Sequence, residues 1–485
     1  MKHQIALSSL FVCASAFSQI RIAHWNIAGM QGNSSAMTYV ISEMHNDDAK
    51  GWAQPIDVIT FNEVPSTIIN NLKTVVNQAA PAGITYSLAT YTVASGENGA
   101  SGAQAMFYRS DRFTEVATLH NDIFTDAGRY ADRWVLKLNS YNSNDARICV
   151  YGAHLKASQG STEENLRLFG INAIRQNAVT LGSTIPVVYT GDMNFYTNTE
   201  TGYVALVAAG TGAGVDPYGT GSWSGAANAY KHTQAPAITG LNGLVGGGLN
   251  DRFDFIMPST AAATGEGISM IASTMRAVGN DGAHYNKDIN AGNNTYFSNL
   301  TRSNTLSDKL WIASDHIPQI LDFQIPAKLS ASFVNLPAKI PVGSSTQLQI
   351  KIQNTASYYT TTGVDELDYS LTCSGNASGT YSGIAGLSPN YSTVYVNVNT
   401  NTVGTATGTI TITSNSKAVE PSSLQLNFSI PIYLEGDLDN SGNVDSGDIA
   451  ILILDFGICP NCNSDLDENG YVDSGDLALL LLLFT

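Results

Sequence analysis

The sequence predicts three successive parts: a two-layer or sandwiched α/β domain of about 300 residues, an all-β region, and a short acidic tail. Three observations carry this. From Arg21 to about Gln324, short β-rich apolar runs alternate with stretches of helical period. From Ile325 the helical period disappears and alternating β segments separated by Asn, Ser and Gly turns take over. From Glu435 to Thr485 there are eleven acidic side chains and no Lys or Arg. A chain of 485 residues exceeds one ordinary domain, and 43% hydrophobic content suffices for real cores, which excludes disorder, collagen and coiled coil.

In chain order, Lys2 and His3, the apolar run Ile5 to Val12 and the small residues around Ala14 to Ser18 form the pattern of an export signal, residues 1–18. The first strand is expected from Ile20. Further strands are expected over Ile56 to Phe61, Ala105 to Tyr108, Ile148 to Ala153, Pro186 to Thr190 and Phe253 to Met257. Helices are expected over Ser35 to Glu43, Ser66 to Gln78 and Thr162 to Leu181, where apolar spacing approaches 3.6. Residues 210–248, rich in Gly, Ala and Thr, read as long loops. The α/β domain thus spans 19–324. Residues 325–434, with Thr346 to Ile352, Thr393 to Val398 and Gly408 to Thr413, read as an immunoglobulin-like β-sandwich acting as a spacer. No stretch reaches the 18–20 apolar residues of a membrane span, so the mature protein is expected to be secreted or held at the cell surface.

The net charge of −17 is concentrated in the tail; residues 19–324 carry only 18 basic against 25 acidic side chains. Overall acidity therefore neither favours nor excludes a polyanionic substrate. Arg109, Arg112, Arg129, Arg133 and Lys156 can line a groove. Four cysteines outside the signal are too few for a disulfide scaffold, and Cys459 and Cys462 read as a local disulfide.

The tail contains a repeat at an offset of 28 residues: Asp437 to Asp448 recurs as Asp465 to Asp476, each followed by an apolar segment. A hard cation such as calcium takes oxygens at positions 1, 3, 5, 7, 9 and 12 of such a loop, with Gly at 6. The first copy offers Asp437, Asp439, Ser441, the Asn443 carbonyl, Asp445 and Asp448; the second offers Asp465, Asp467, Asn469, the Tyr471 carbonyl, Asp473 and Asp476. Two Ca²⁺ ions are expected. With Asp at position 12 and only a following helix, residues 435–485 resemble a type I dockerin, whose partner is a cohesin domain.

Six motifs of the α/β domain end apolar strands in Asp, Glu, Asn or His, the side chains that hydrolysis of a phosphate ester requires. Asn26 in His-Trp-Asn-Ile can orient a ligand or phosphate. Glu63 in Asn-Glu-Val is placed to hold Mg²⁺, and His154 in Gly-Ala-His to donate to a phosphoryl oxygen. In Gly-Asp-Met-Asn, Asp192 is the candidate to orient or deprotonate water and Asn194 to position the substrate, the two projecting to one side if the strand continues. Asp254 in Arg-Phe-Asp-Phe can hold an imidazole, supplied as His316 by Ser-Asp-His, with Asp315 beside the metal.

On these motifs, residues 20–324 resemble the endonuclease/exonuclease/phosphatase superfamily. The resemblance implies a four-layer α/β/β/α sandwich, hydrolysis with one or two Mg²⁺ (or Mn²⁺) ions held by Asn26, Glu63 and Asp315, and a phosphate contact from Tyr108. Asn62 replaces the usual Gln before the metal Glu. The expected function is an exported metal-dependent phosphoesterase, a phosphodiesterase or nuclease acting on a phosphodiester such as nucleic acid. Two alternatives stay open: a sphingomyelinase-like or sugar-phosphate esterase on the same fold, and an inactive binding or scaffold protein tethered through its tail.

Overall fold

In the computed structural model, residues 19–94, 97, 102–182, 184–459 and 462–484 are described. The export-signal segment, 1–18, lies outside them. The chain separates into two compact units. One contains the residues up to Ala327 with Ala356–Asp365 and Ser416–Glu420; the other contains Lys328–Thr355, Glu366–Asn415 and Pro421–Thr485.

The first unit is mixed α/β, with twelve strands among the described residues: β1 Ile20–Asn26, β2 Val58–Asn62, β3 Tyr86–Leu88, β4 Gln104–Arg109, β5 Phe113–Glu115, β6 Asn121–Asp126, β7 Arg129–Leu138, β8 Arg147–His154, β9 Val187–Asp192, β10 Asp254–Pro258, β11 Arg276–Ala277 and β12 Gln319–Phe323. They form two sheets, in the orders β11-β12-β1-β2-β4-β3 and β10-β9-β8-β7-β5, with β6 paired to β7. The pairs β1–β2 and β8–β9 are parallel, so each needs a crossover, and helices supply it.

Helices α1 Ser34–His45, α2 Ile69–Ala79 and α5 Leu300–Ala313 share one core with the first sheet. Helices α3 Ser161–Thr180 and α4 Thr201–Val207 share another with the second. The two sheets pack against each other through β1, β2 and β4 on one side and β8, β9 and β10 on the other. Helix, sheet, sheet and helix therefore follow as layers. Helix α1 buries Met37, Val40, Ile41 and Met44 at the 3–4 residue spacing of one face, and the Asn33 side chain caps it by accepting from Ala36 N–H at 2.9 Å.

The expected helices start and stop within a few residues of those observed, and 210–248 is loop apart from a short 3₁₀ turn at Ala226–Lys231. Helix α5 was not expected. Its buried face mixes Leu306, Leu310 and Ala313 with Ser303 and Ser307, so no clean apolar stripe marks it.

In the second unit, two five-stranded sheets are built mostly from antiparallel pairs. Strand Ser392–Val398 buries Val394, Val396 and Val398 and exposes the residues between, the alternation read from the sequence. The same unit contains the tail helices α6 Ser446–Leu454 and α7 Ser474–Leu482, around a small core of Val444, Leu452, Val472 and Leu480. Cys459 and Cys462 are joined by a disulfide.

Candidate active site

Register brings the motif residues together. Asn26 stands beside Asn62 at the end of the parallel pair β1–β2. His154 stands beside Asp192 at the end of β8–β9, and Asp254 pairs with Asp192 from the other side. Gly191 is required for this approach: its φ is +148°, and a Cβ there would come 1.9 Å from the Ala153 carbonyl oxygen. Both sheets thus deliver polar strand ends to one rim, the usual way α/β folds build sites.

Asp192 is the buried focus. Its Oδ2 accepts from Asn26 Nδ2 at 3.1 Å and lies 3.5 Å from His154 Nε2 and 3.7 Å from His316 Nε2. Its backbone N–H donates to Asn62 Oδ1 at 2.7 Å, and Asn62 Nδ2 in turn donates to Gln104 Oε1. Asn62 is thus the brace that fixes the Asp192 backbone. Burial, with the negative charges of Asp254 and Glu63, pushes the Asp192 carboxyl up to about 7 against the opposing pull of His316 and Asn26.

Asn194 reaches the cluster by a different route from the one expected. The strand ends at Asp192, and Asn194 adopts φ +52°, so strand alternation does not align the two side chains. Instead Asn194 N–H donates to Asp192 Oδ1 at 3.1 Å, a local turn closed by the carboxylate, while its Nδ2 donates to the Leu155 carbonyl at 3.2 Å.

His316 is held on both sides. Nδ1 contacts Asp254 Oδ2 at 2.7 Å, and the Gln234 side-chain amide lies 2.8 Å from its Nε2. Burial alone would lower the imidazole pKa, but Asp254 and Asp192 outweigh it and hold it well above the ordinary value. For Asp254, burial is likewise outweighed by His316 and His24, which keep the carboxylate ionised. His24 bonds Asp254 Oδ1 at 3.2 Å and Thr60 Oγ1 at 3.1 Å, and Thr60 donates to Thr190 Oγ1 at 2.8 Å. This chain runs between the two sheets directly beneath the site.

Glu63 follows β2 with φ +56°, and its Oε1 accepts from Asn26 Nδ2 at 3.1 Å. Burial raises its pKa, and Asp315 is close enough to raise it further. Asp315 accepts from Val245 N–H at 2.9 Å. The donors offered by Glu63, Asp315 and Asp192 are carboxylate oxygens, the chemistry that suits Mg²⁺. Asn26 departs from the expected ligand set: it turns its amide nitrogen to the carboxylates, while its oxygen accepts from Ala28 N–H at 3.0 Å. It therefore clamps Glu63 to Asp192.

Two expectations are corrected. Tyr108 pairs with Val58, whereas the site lies at the Asn62–Gln104 end of the same ladder, about four residues or roughly 13 Å away. Of the groove cations, Arg112 is bound to buried Asp57 at 2.7 Å and Arg109 to Asp111 at 2.6 Å; Arg133 bonds Asn177 at 2.8 Å, and Lys156 bonds the neighbouring Ala157 carbonyl. Arg129 is the one that belongs to the site. Its guanidinium donates to the His154 carbonyl at 3.2 Å and to the Leu155 carbonyl; burial lowers its pKa while Asp192 and Glu63 raise it. His24, Gln234 and Arg129 carried no strand-end signal of their own, although His24 lies within a motif that was recognised.

In the tail, carboxylate oxygens of Asp437, Asp439 and Asp448, and of Asp465, Asp467 and Asp476, converge within 4.8 Å in each loop. Asp445 and Asp473 cap α6 and α7, each in a capping box with Asp448 or Asp476. Ser441 Oγ donates to the Asn443 carbonyl at 3.3 Å, Asn469 Nδ2 donates to Asp467 at 2.9 Å, and Tyr471 pairs with Ile458 in a two-residue ladder.

No family profile and no curated protein matches the chain. Among solved structures it is similar to D. rerio TDP2 complexed with a single-strand DNA product, at 14% identity and a TM-score of 0.40, covering 64% of this chain and 100% of that one. It is similar to the human Nocturnin catalytic domain with a bound sulfate anion at 17% identity and a TM-score of 0.37, covering 63% and 93%. It is similar also to the endonuclease/exonuclease/phosphatase from Bacteroides vulgatus at 15% identity and a TM-score of 0.38, covering 64% and 100%. Likeness of this strength leaves the activity to be read from the site itself.

Proposed function

We propose that the first unit is a metal-dependent phosphoesterase that hydrolyses phosphodiesters, with nucleic acid as its substrate. One observation carries this: a buried carboxyl pushed to about 7, Asp192, is encircled by the amide of Asn26 and the imidazoles of His154 and His316. Asp192 is basic enough at neutral pH to orient water and take its proton. His316, kept protonated by Asp254, donates to a phosphoryl oxygen, and His154 offers a second donor. Arg129 adds fixed positive charge beside them. Asn194, bound to the Asp192 carboxylate and the Leu155 carbonyl, keeps that carboxylate aimed. When bound at Glu63 and Asp315, Mg²⁺ supplies neutralisation of phosphate charge.

The test is cleavage of supercoiled plasmid by the purified protein in Mg²⁺, with and without EDTA, beside Asp192→Ala. Cleavage is expected to need both metal and Asp192. A folded protein that leaves plasmid intact while cleaving a lipid or sugar phosphate would reassign the substrate, and equal cleavage by the variant would remove the mechanism.

For the tail we propose two Ca²⁺ sites in a dockerin-like module that tethers an exported enzyme to a cohesin-like partner. The repeated convergence of three carboxylates supports the ions. Exposed Leu454, Ile458 and Leu482 supply an apolar surface suited to docking.

A further inference from the structure

Outside the Asp192 cluster, buried acids of the first unit share one solution to their charge. Asp322 is matched to Arg21, Asp57 to Arg112, Glu200 to Arg167, Asp216 to Arg252 and Asp47 to Arg276. On the hairpin β6–β7 the pattern breaks. Asp122 and Asp132 stand directly opposite each other in the antiparallel register, where like charges repel. Asp132 is 3% exposed, and neither acid has an arginine or lysine in its ion pairs among the described residues.

What faces them is an imidazole and a hydroxyl. His120 Nε2 lies 2.9 Å from Asp122 Oδ1 and 3.9 Å from Asp132 Oδ1. Thr92 Oγ1 lies 2.7 Å from Asp122 Oδ1, 3.2 Å from His120 Nε2 and 3.4 Å from Asp132 Oδ1. The His120 side chain is only 9% exposed, and its other nitrogen, Nδ1, is buried without a hydrogen-bond partner among the described residues. With Nε2 facing both carboxylates and the hydroxyl, the imidazole is placed where it can serve as a metal ligand.

We propose that His120, Asp122 and Asp132, with the Thr92 hydroxyl, form a binding site for a divalent transition cation of the zinc type, separate from the Asp192 cluster. The ligand atoms of the His and the two Asp all lie within 4.8 Å of one another. One imidazole nitrogen with three oxygens matches the low coordination number and mixed donors of zinc; calcium takes six to eight oxygens and magnesium an octahedron of oxygens. None of the four residues hydrogen-bonds to Asp192, Asp254 or His316 among the described residues. The cation joins the segment at Thr92 to both strands of the hairpin whose second strand opens with Arg129, and so braces the strand that carries that guanidinium.

The test is equilibrium dialysis of the full chain against Zn²⁺ with Ca²⁺ and Mg²⁺ in excess, bound zinc being counted by mass spectrometry in the wild type, His120→Ala, Asp132→Asn and the more exposed Asp122→Asn. The wild type is expected to retain one equivalent more than each variant. The affinity lost should exceed about 100-fold, since even outer-shell partners of a metal are worth 10–100-fold. With Co²⁺ as probe, the visible absorption of a nitrogen-ligated ion should appear in the wild type and vanish in the variants. Equal zinc in all four proteins, with circular dichroism unchanged, would overturn the proposal. If either buried-site variant unfolds, Asp122→Asn decides the matter alone: loss of the extra equivalent supports the site, and its retention removes it.

Discussion

Asp254→Asn isolates the electrostatic role of the Asp254–His316 pair from its geometry. The contact is 2.7 Å between side chains that are almost wholly buried, so the charge centres lie roughly 4 Å apart and interact by about 4 kcal/mol at an effective dielectric of about 20. Asp254 is the largest of the charges that hold the imidazole protonated above its ordinary range, and the amide variant removes it while leaving Asp192 and Asp315 in place. If the donor form of His316 is required, kcat/KM for bis(p-nitrophenyl) phosphate in Mg²⁺ should fall relative to wild type by a factor that widens as pH rises from 7 to 9, towards the roughly 1,000-fold that about 4 kcal/mol represents. The trend of the ratio with pH is the useful quantity, because loss of the Asp254 charge also shifts the ionisation of Asp192. A deficit that does not change with pH would mean that Asp254 only positions the ring. No deficit at all would refute the assignment of His316.

Stability should carry a separate acid dependence. Burial, assisted by Arg21 and Arg109, pushes His45 down to about 3, so between about pH 6.5 and 3 the unfolded chain binds a proton that the folded one does not. This contribution is complete above the unfolded pKa and lost as pH falls; at pH 5 the loss is about 2 kcal/mol. Urea denaturation at pH 7.5 and 5.0 should show that His45→Gln, whose amide oxygen can still accept from Ile56 N–H, loses about that much less than wild type on acidification. In the tail, calcium titration calorimetry should give two sites for the full chain and one for either Asp448→Ala or Asp476→Ala; unchanged stoichiometry in both variants would count against the loops.

Four of the six motifs were legible because an apolar strand stops at a polar residue, as at Asn26, Glu63, His154 and Asp192; the other two depart from that expectation, since Asp254 opens β10 and Asp315 and His316 follow helix α5, and antiparallel pairing and a helix end bring them to the same rim. Face and end are different properties, however. Alternation tells which face Tyr108 occupies, but only the register of β4 on β2 shows that it lies at the far end of the ladder. The arginines were illegible for a similar reason: Arg109 and Arg129 read alike in sequence, and what separates them is whether an acid such as Asp111 lies within 3 Å of the guanidinium. Asn26 shows a third limit. Its position was readable, but which end of the amide meets the carboxylates depends on Ala28 N–H taking up the oxygen.

The arrangement also accounts for how a site split between two sheets can hold its dimensions. Glu63 and Asn26 follow the first sheet; His154, Asp192 and Asp254 belong to the second; Asn26 is bonded to a carboxylate from each, at 3.1 Å in both cases. Loops cannot set that spacing, since Glu63 and Asn194 both stand in left-handed turns just beyond their strands. It is set below, where Thr60 of β2 meets Thr190 of β9 at 2.8 Å and His24 of β1 meets Asp254 of β10 at 3.2 Å. Packed interiors deform little, so the distance between the carboxylates offered to a metal and the carboxylate that handles water follows from the sheet–sheet contact. The small hydroxyl pair is suited to that position: bulkier side chains at Thr60 and Thr190 would part the sheets and open the Asn26 clamp from beneath.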